Sequence, residues 1–338
     1  MRSKVKSRLK SSWRFLLAGC AALSLQSCYL MEQGMGQLQI QWHQVPLEEA
    51  IEAEQNPHYR KMLASVPSIK QFSVNVLLLK PTDNYTTYYH TPGKGVSFVV
   101  TASAKDQLKP YTWWFPIISS VPYKGFFDKE DALALEAKLK EKGYDTWMFA
   151  ATAYSTLGWF RDPLTTPMLR RGYESFVGSL IHEMVHTTLY IEGEGDFNEQ
   201  LASFVETRGM IAYFRHEGLL TEEREEKIWR MKQKRQQYHH ILKKAIDQLE
   251  ALYAQDLDTS VILDRRAEIF EALEAELVRV YPGKSEGYWR FNNARLLQHR
   301  RYSDESELFK QMWQESETDW KRFWQLVNRY VREKGWRG

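Results

Sequence analysis

The residues best placed to do chemistry lie in the segment LIHEMVHTTLYIEGEGDFNEQLASFVE, residues 180–206. His182 and His186 are four residues apart, so on an α-helix both imidazoles lie on one face and can bind the same metal ion. Glu183 lies about 100° further round the helix, where it can reach a water molecule on the metal but not easily the metal itself. These three residues predict a metal-bound water with a glutamate as its general base.

A third metal ligand is expected from the segment that follows the histidines. The sequence GEGD at 193–196 should break the helix, Asp196 is expected to cap a second helix, and Glu199 falls in the first turn of that helix. If the second helix turns back on the first, Glu199 faces the histidine pair. Three protein ligands leave a fourth position for water, which is typical of a catalytic zinc ion and not of a structural one.

Glu206 follows Glu199 by seven residues and is expected on the same helix face. Either Glu206 orients a ligand histidine from behind, or it is solvated at the surface, and the sequence leaves both open. The apolar residues around the histidines would also be expected in an ordinary core helix that carries a few polar residues and binds no metal. The block NEQLASFVE at 198–206 favours the metal site.

The surrounding pattern predicts an α+β fold, in which a small mixed sheet is followed by a mostly helical C-terminal half. A helical region interrupted near Pro67 is expected at 46–80. Strands are expected at 95–103, 111–118 and 144–153, and one further helix is expected at 128–143. Helices are expected at 173–192, 197–217, 221–254, 261–280, 287–299, 303–314 and 317–334. The long, highly charged 221–254 helix should pair with 261–280 as a hairpin.

The first 27 residues are expected to be a signal peptide, because a basic segment without acidic residues leads into a short apolar run. Both cysteines, Cys20 and Cys28, follow apolar and small residues, as the lipidated cysteine of bacterial lipoproteins does. Cys28 is preferred, since cleavage at Cys20 leaves an apolar run shorter than the roughly seven residues that a signal needs. The alternatives are Cys20 and a basic amphipathic anchor helix. We expect residues 28–338 to form a single domain, with an α/β part at 28–170 and a helical part at 171–338.

The composition indicates a packed globular protein. Hydrophobic residues make up 43% of the 338 residues and aromatic residues make up 14%, which is enough for a sizeable core. The net charge of +3 includes six basic residues within the first 27. The remainder of the chain is therefore mildly acidic, which excludes nucleic acid as the expected partner.

The motif HEMVH followed by FNEQLASFVE resembles the gluzincin metallopeptidases, in which a glutamate of an Asn-Glu motif is the third zinc ligand. Twelve residues separate His186 from Glu199, fewer than in the large gluzincin aminopeptidases, and their exopeptidase motif G-x-M-E-N is absent. A closer resemblance is to the bacterial lipoproteins called predicted aminopeptidases. The segments that carry this resemblance are 28–40, 113–128, 153–163, 180–206 and 292–296.

This resemblance implies a zincin-like metallopeptidase domain with Zn²⁺ as its cofactor and a peptide as its substrate. It implies His182, His186 and Glu199 as metal ligands, Glu183 as catalytic base and Cys28 as the lipidated residue. No aspartate follows Cys28, as in outer-membrane lipoproteins, so the enzyme is expected to face the periplasm.

Two further segments are candidates for the site. Residues 153–160, AYSTLGWF, form either an edge strand that pairs with substrate or an aromatic connection that only packs. The segment FNNARLLQHRRY at 291–302 offers Arg295 and Tyr302, together with Asn292 and Asn293. Either Tyr302 or Arg295 stabilises an oxyanion, or the segment is a capped surface helix.

The sequence therefore predicts a membrane-anchored zinc peptidase, with aminopeptidase as the preferred activity. An endopeptidase or a cell-wall amidase of the same chemistry is the alternative. A non-catalytic lipoprotein scaffold, whose hairpin at 221–280 binds a protein partner, is the rival from another class. Glu183 favours an enzyme, because a scaffold needs no base beside its metal.

Overall fold

The computed structural model describes residues 40–91, 93, 95–115, 119–151, 161–299 and 307–337. Cys20, Cys28, Tyr302 and the segment 153–160 lie outside these ranges. Within them the fold belongs to the α+β class, with small sheets and a mainly helical second half, as the sequence predicts. No helix in these ranges is both long and apolar enough to cross a membrane.

The secondary structure elements are numbered in chain order. The strands are β1 (Val45–Pro46), β2 (Thr87–Tyr89), β3 (Ser97–Ser103), β4 (Trp113–Phe115), β5 (Ser119–Val121), β6 (Lys124–Phe126), β7 (Asp145–Ala151) and β8 (Leu164–Thr165). The helices are α1 (Leu47–Ala53), α2 (Pro57–Ala64), α3 (Val66–Asn75), α4 (Lys129–Glu141), α5 (Thr166–Leu169), α6 (Tyr173–Thr188), α7 (Gly195–His216), α8 (Glu222–Tyr253), α9 (Thr259–Val280), α10 (Asn293–His299), α11 (Glu307–Glu315) and α12 (Trp320–Glu333).

The predicted helical region at the start of the domain is present as α1, α2 and α3. The Asn56 side chain accepts a hydrogen bond from the His58 amide at 2.9 Å and so caps α2. Pro67 lies in the first turn of α3, where its missing N–H costs no hydrogen bond, and it separates α3 from α2.

The strands form two small sheets and a hairpin. The antiparallel sheet has the order β6-β3-β7 and contains the predicted strands β3 and β7. The mixed sheet has the order β1-β2-β8, in which β2 and β8 are parallel. Of the strand predicted at 111–118, the structure shows β4 at Trp113–Phe115, which pairs antiparallel with β5, and residues 116–118 lie outside the described ranges.

Helix α4 covers the antiparallel sheet, and its ends follow the predicted signals. The Asp128 side chain accepts hydrogen bonds from the amides of Glu130 and Asp131, at 2.8 and 3.2 Å. Gly143 ends the helix with a φ of 86°, a backbone conformation that favours glycine. Ala132 and Leu139 of α4 then pack on the sheet.

Helices α8 and α9 form the predicted hairpin and have an apolar core of their own, which includes Leu249, Leu273 and Leu277. A buried ion pair between Arg266 of α9 and Asp145 of β7 joins the hairpin to the sheet. The helix predicted at 287–299 begins only at Asn293, because residues before it form turns that include Gly287 at a φ of 70°.

Helices α6 and α7 lie in the largest apolar core, packed against each other and against α3. Two glycines allow this close packing. A Cβ atom on Gly178 would lie 2.8 Å from the Met210 sulfur and 3.0 Å from a carboxylate oxygen of Glu206. A Cβ atom on Gly209 would lie 2.9 Å from a Leu77 methyl group. The pair of helices can therefore place polar groups of α7 directly against α6.

Candidate metal centre

The two helices α6 and α7 carry all the predicted ligands, joined by a short loop. Helix α6 ends at Thr188, and α7 begins at Gly195. The expectation that Asp196 caps α7 is wrong. The first helical hydrogen bond of α7 runs from the Asn198 amide to the Glu194 carbonyl at 3.0 Å, so Asp196 lies inside the first turn.

The structure brings His182, His186 and Glu199 together. The two Nε2 atoms of the histidines are 3.1 Å apart. The Glu199 carboxylate places one oxygen 3.4 Å from His182 Nε2 and the other 3.4 Å from His186 Nε2. These donor atoms could hold a metal ion, since all of them lie within 4.8 Å of one another.

The spacing of the donors fits a tetrahedral ion. An ion about 2.0–2.1 Å from each nitrogen and oxygen donor holds neighbouring donors about 3.3–3.4 Å apart. The two Nε2 atoms, 3.1 Å apart, are close to this value, and each of them lies 3.4 Å from a different oxygen of the Glu199 carboxylate. Two imidazoles and one carboxylate also form a donor set that suits a borderline metal such as zinc better than calcium or magnesium.

Asn198 holds the loop that turns α7 back towards α6. Its side-chain oxygen accepts from the Ile191 amide at 2.9 Å, and its side-chain nitrogen donates to the Ile191 carbonyl at 2.8 Å. The side chain is 1% exposed, so both bonds are shielded from water. This pairing fixes the residue directly before Glu199. No role was predicted for Asn198, although its place directly before Glu199 was a signal.

Glu206 is buried behind His182 and is not solvated. One of its oxygens lies 3.2 Å from His182 Nδ1. Arg235 of α8 donates to both oxygens, at 2.9 and 3.0 Å. Burial raises the pKa of Glu206, but the hydrogen bonds and charges of His182 and Arg235 outweigh burial and lower the pKa to about 2. Glu206 is therefore a carboxylate that accepts the Nδ1 proton of His182.

The charges of the site also shift the pKa values of two predicted ligands. Burial lowers the pKa of His182, but hydrogen bonds to Glu199 and Glu206 and nearby carboxylate charges outweigh it and raise the pKa to about 10. Burial raises the pKa of Glu199, but hydrogen bonds from His182 and His186 hold it well below its usual range. A metal ion would therefore displace a proton from His182 on binding.

The sequence of the chain matches a known protein family over most of its length. The family described as "Putative aminopeptidase" matches residues 28–335. The chain belongs to this family. No curated protein matches the chain, and no solved structure matches it.

Two tyrosines that were not predicted as site residues lie near the site of this aminopeptidase-family protein. Tyr85 is buried with a left-handed φ of 63°, and its amide donates to the Asp162 carbonyl at 2.8 Å. Burial, followed by the charges of Glu183 and Asp162, raises the pKa of Tyr85 well above its usual value. Tyr190 is 56% exposed, and its ring centroid lies 6.2 Å from that of His186.

The segment at 291–299 is buried, in contrast to the expected surface helix, while Tyr302 lies outside the described residues. Asn293 is fully buried and donates to the carbonyls of Ala104 and Gln107 at 2.9 and 3.1 Å. The Arg295 guanidinium lies 4.3 Å from the centre of the Trp147 ring and donates to the Tyr288 carbonyl. Residues 291–299 are thus a buried connection between the helical half and the sheet and not a surface helix, whereas the oxyanion role of Tyr302 or Arg295 stays a prediction.

Proposed function

We propose that the chain is a zinc-dependent peptidase with a zincin-like catalytic domain, in which His182, His186 and Glu199 hold the ion and Glu183 is the general base. The observation that carries this proposal is the donor triangle of His182, His186 and Glu199, in which the two Nε2 atoms are 3.1 Å apart and each lies 3.4 Å from one oxygen of the carboxylate. Membership of an aminopeptidase family supports amide hydrolysis as the reaction.

Each residue of the site has a distinct task in this proposal. A zinc ion, when bound, supplies a water whose pKa is lowered to about 7 and polarises the scissile carbonyl. Glu183 takes a proton from the attacking water onto a carboxylate oxygen and delivers it to the leaving amine nitrogen. His182 keeps its proton on Nδ1, hydrogen-bonded to Glu206 at 3.2 Å, which leaves the Nε2 lone pair for the ion.

Hydrolysis assays on the purified full-length protein in detergent test this function. The substrates should include peptides with a free amino terminus, peptides labelled at internal bonds, and muropeptides. We expect a chelator to abolish hydrolysis and about one equivalent of Zn²⁺ to restore it, with aminopeptidase substrates cleaved fastest. Hydrolysis that survives complete metal removal would contradict zinc chemistry. A zinc-loaded protein without any hydrolysis would instead favour the scaffold, with the hairpin at 221–280 as its partner surface.

We also propose that the protein is an outer-membrane lipoprotein that faces the periplasm, anchored by a lipid on Cys28. The start of the family match at residue 28 supports this position. Mass spectrometry of the mature amino terminus should find acylated Cys28. Acylated Cys20, or an uncleaved first segment, would contradict the proposal.

A further inference from the structure

Two buried carboxylates on the site helices receive their positive partners from α8. Glu174 of α6 is 6% exposed and contacts Arg224 and Lys227, at 3.1 and 2.7 Å. Glu206 of α7 is 5% exposed and contacts Arg235 at 2.9 Å. A buried carboxylate without a partner is strongly destabilising. Helix α8 therefore has an electrostatic role towards α6 and α7 beyond its apolar packing.

The cations of α8 lie on one side of the helix. Arg224 and Arg235 are eleven residues apart, which is close to three helical turns at about 3.6 residues per turn. The same side of α8 thus meets α6 near the start of that helix and meets α7 beside the candidate metal centre. Only the second of these contacts continues to a predicted metal ligand, because Glu206 also hydrogen-bonds His182 at 3.2 Å.

We propose that Arg235 is a positioning residue of the metal centre, which acts on His182 through Glu206. This inference rests on the proposed function, in the sense that the donor triangle must hold zinc. The carrying observation is a continuous chain of contacts. Arg235 donates to both Glu206 oxygens at 2.9 and 3.0 Å, and one of these oxygens faces His182 Nδ1.

The bidentate contact, in which Arg235 donates to both oxygens of Glu206, explains why an arginine is needed at this position. A guanidinium that donates to both oxygens fixes the plane of a carboxylate, whereas an ammonium group acts as a point charge. A fixed Glu206 holds the Nδ1 proton of His182 in one direction and so fixes the imidazole ring. The Nε2 lone pair of His182 then stays directed at the position between His186 and Glu199.

Loss of Arg235 has two opposite effects on metal affinity. It removes a positive charge near the ion, and this removal favours binding of a cation. It also frees the carboxylate that orients His182. Loss of a ligand's direct hydrogen-bond partner typically weakens metal binding about 10–100-fold, and loss of Arg235, which leaves Glu206 in place, should fall at the low end of this range. The Arg235 side chain is 39% exposed, so solvent and salt screen its charge. The loss of orientation should therefore dominate.

The test is the zinc affinity of the full-length protein in detergent, measured by competition with a chromophoric chelator. Arg235→Met is expected to weaken the zinc Kd about tenfold, the low end of the range for loss of a ligand's direct hydrogen-bond partner. Arg235→Lys should show a smaller loss of affinity, because lysine keeps the positive charge but cannot form the bidentate contact with Glu206. In the cobalt-substituted protein, the visible absorption bands of Arg235→Met should differ from those of the wild type, since His182 is no longer fixed. If Arg235→Met does not fold, Arg235→Lys carries the test.

The matched control is Arg224→Met, the same substitution on the same helix at the other buried carboxylate. Because Glu174 does not contact a metal ligand among the described residues, Arg224→Met should lower Tm but leave the zinc Kd within about twofold. An unchanged or tighter Kd in Arg235→Met would overturn the proposal, and so would an equal loss in Arg224→Met. A wild-type protein that does not compete for zinc would overturn the proposed function itself.

Discussion

Glu183→Gln is expected to keep its zinc and to lose about 10²–10⁴-fold in kcat. The amide of glutamine has nearly the same size as the carboxylate but cannot accept a proton from the attacking water. Glu183 is not one of the three donors that lie together in the structure, so the substitution leaves the metal ligands in place. The measurement is kcat on the best substrate, together with the zinc content of the same sample.

Glu217→Gln is a suitable control for this substitution. Glu217 is exposed and directly follows α7, so Glu217→Gln removes the same charge without touching the donor triangle. Both variants should keep the Tm of the wild type within a few degrees, since neither removes a buried partner. A Glu183→Gln enzyme as fast as the wild type would show that another group is the base.

His182→Ala is expected to lose zinc and activity together. The substitution removes one of three protein ligands and leaves His186 and Glu199, which cannot hold a zinc ion tightly on their own. It also removes the hydrogen-bond partner of Glu206 at 3.2 Å. Zinc content after extensive dialysis and kcat on the best substrate should both fall to background.

His58→Ala controls for the loss of a histidine as such. His58 is exposed in α2, far along the chain from the site, and its loss should change neither zinc content nor kcat. If His182→Ala retained full zinc after dialysis, His182 would not be a ligand. Retained zinc with lost activity would place His182 in catalysis alone.

Local sequence patterns predicted the parts of this structure that depend on local geometry. The four-residue spacing of His182 and His186 determines that they share a face of α6, whatever else the helix contacts. The ends of α4 follow from Asp128 and Gly143 for the same reason, because capping involves only neighbouring residues. The hairpin of α8 and α9 follows from two long periodic segments with a short connection.

Contacts between distant segments were not predictable in this way. Hydrophobic periodicity indicates which face of a helix is buried, but not which residue of another element lies opposite. Arg235 is 29 residues from Glu206, within a heavily charged helix that offers many similar side chains. Tyr85 lies in a polar turn that gave no sign of proximity to Glu183. Asn293 contacts backbone carbonyls more than 180 residues away.

The zinc content of the purified full-length protein, compared with that of Glu199→Ala, shows whether His182, His186 and Glu199 together hold a zinc ion. Glu199 is the ligand that only the fold brings to the histidines, at 3.4 Å from each Nε2 atom. We expect about one zinc ion per wild-type chain and loss of that zinc on dialysis of Glu199→Ala. A wild-type chain that binds no zinc, or a Glu199→Ala chain that keeps its full zinc content, would contradict the account.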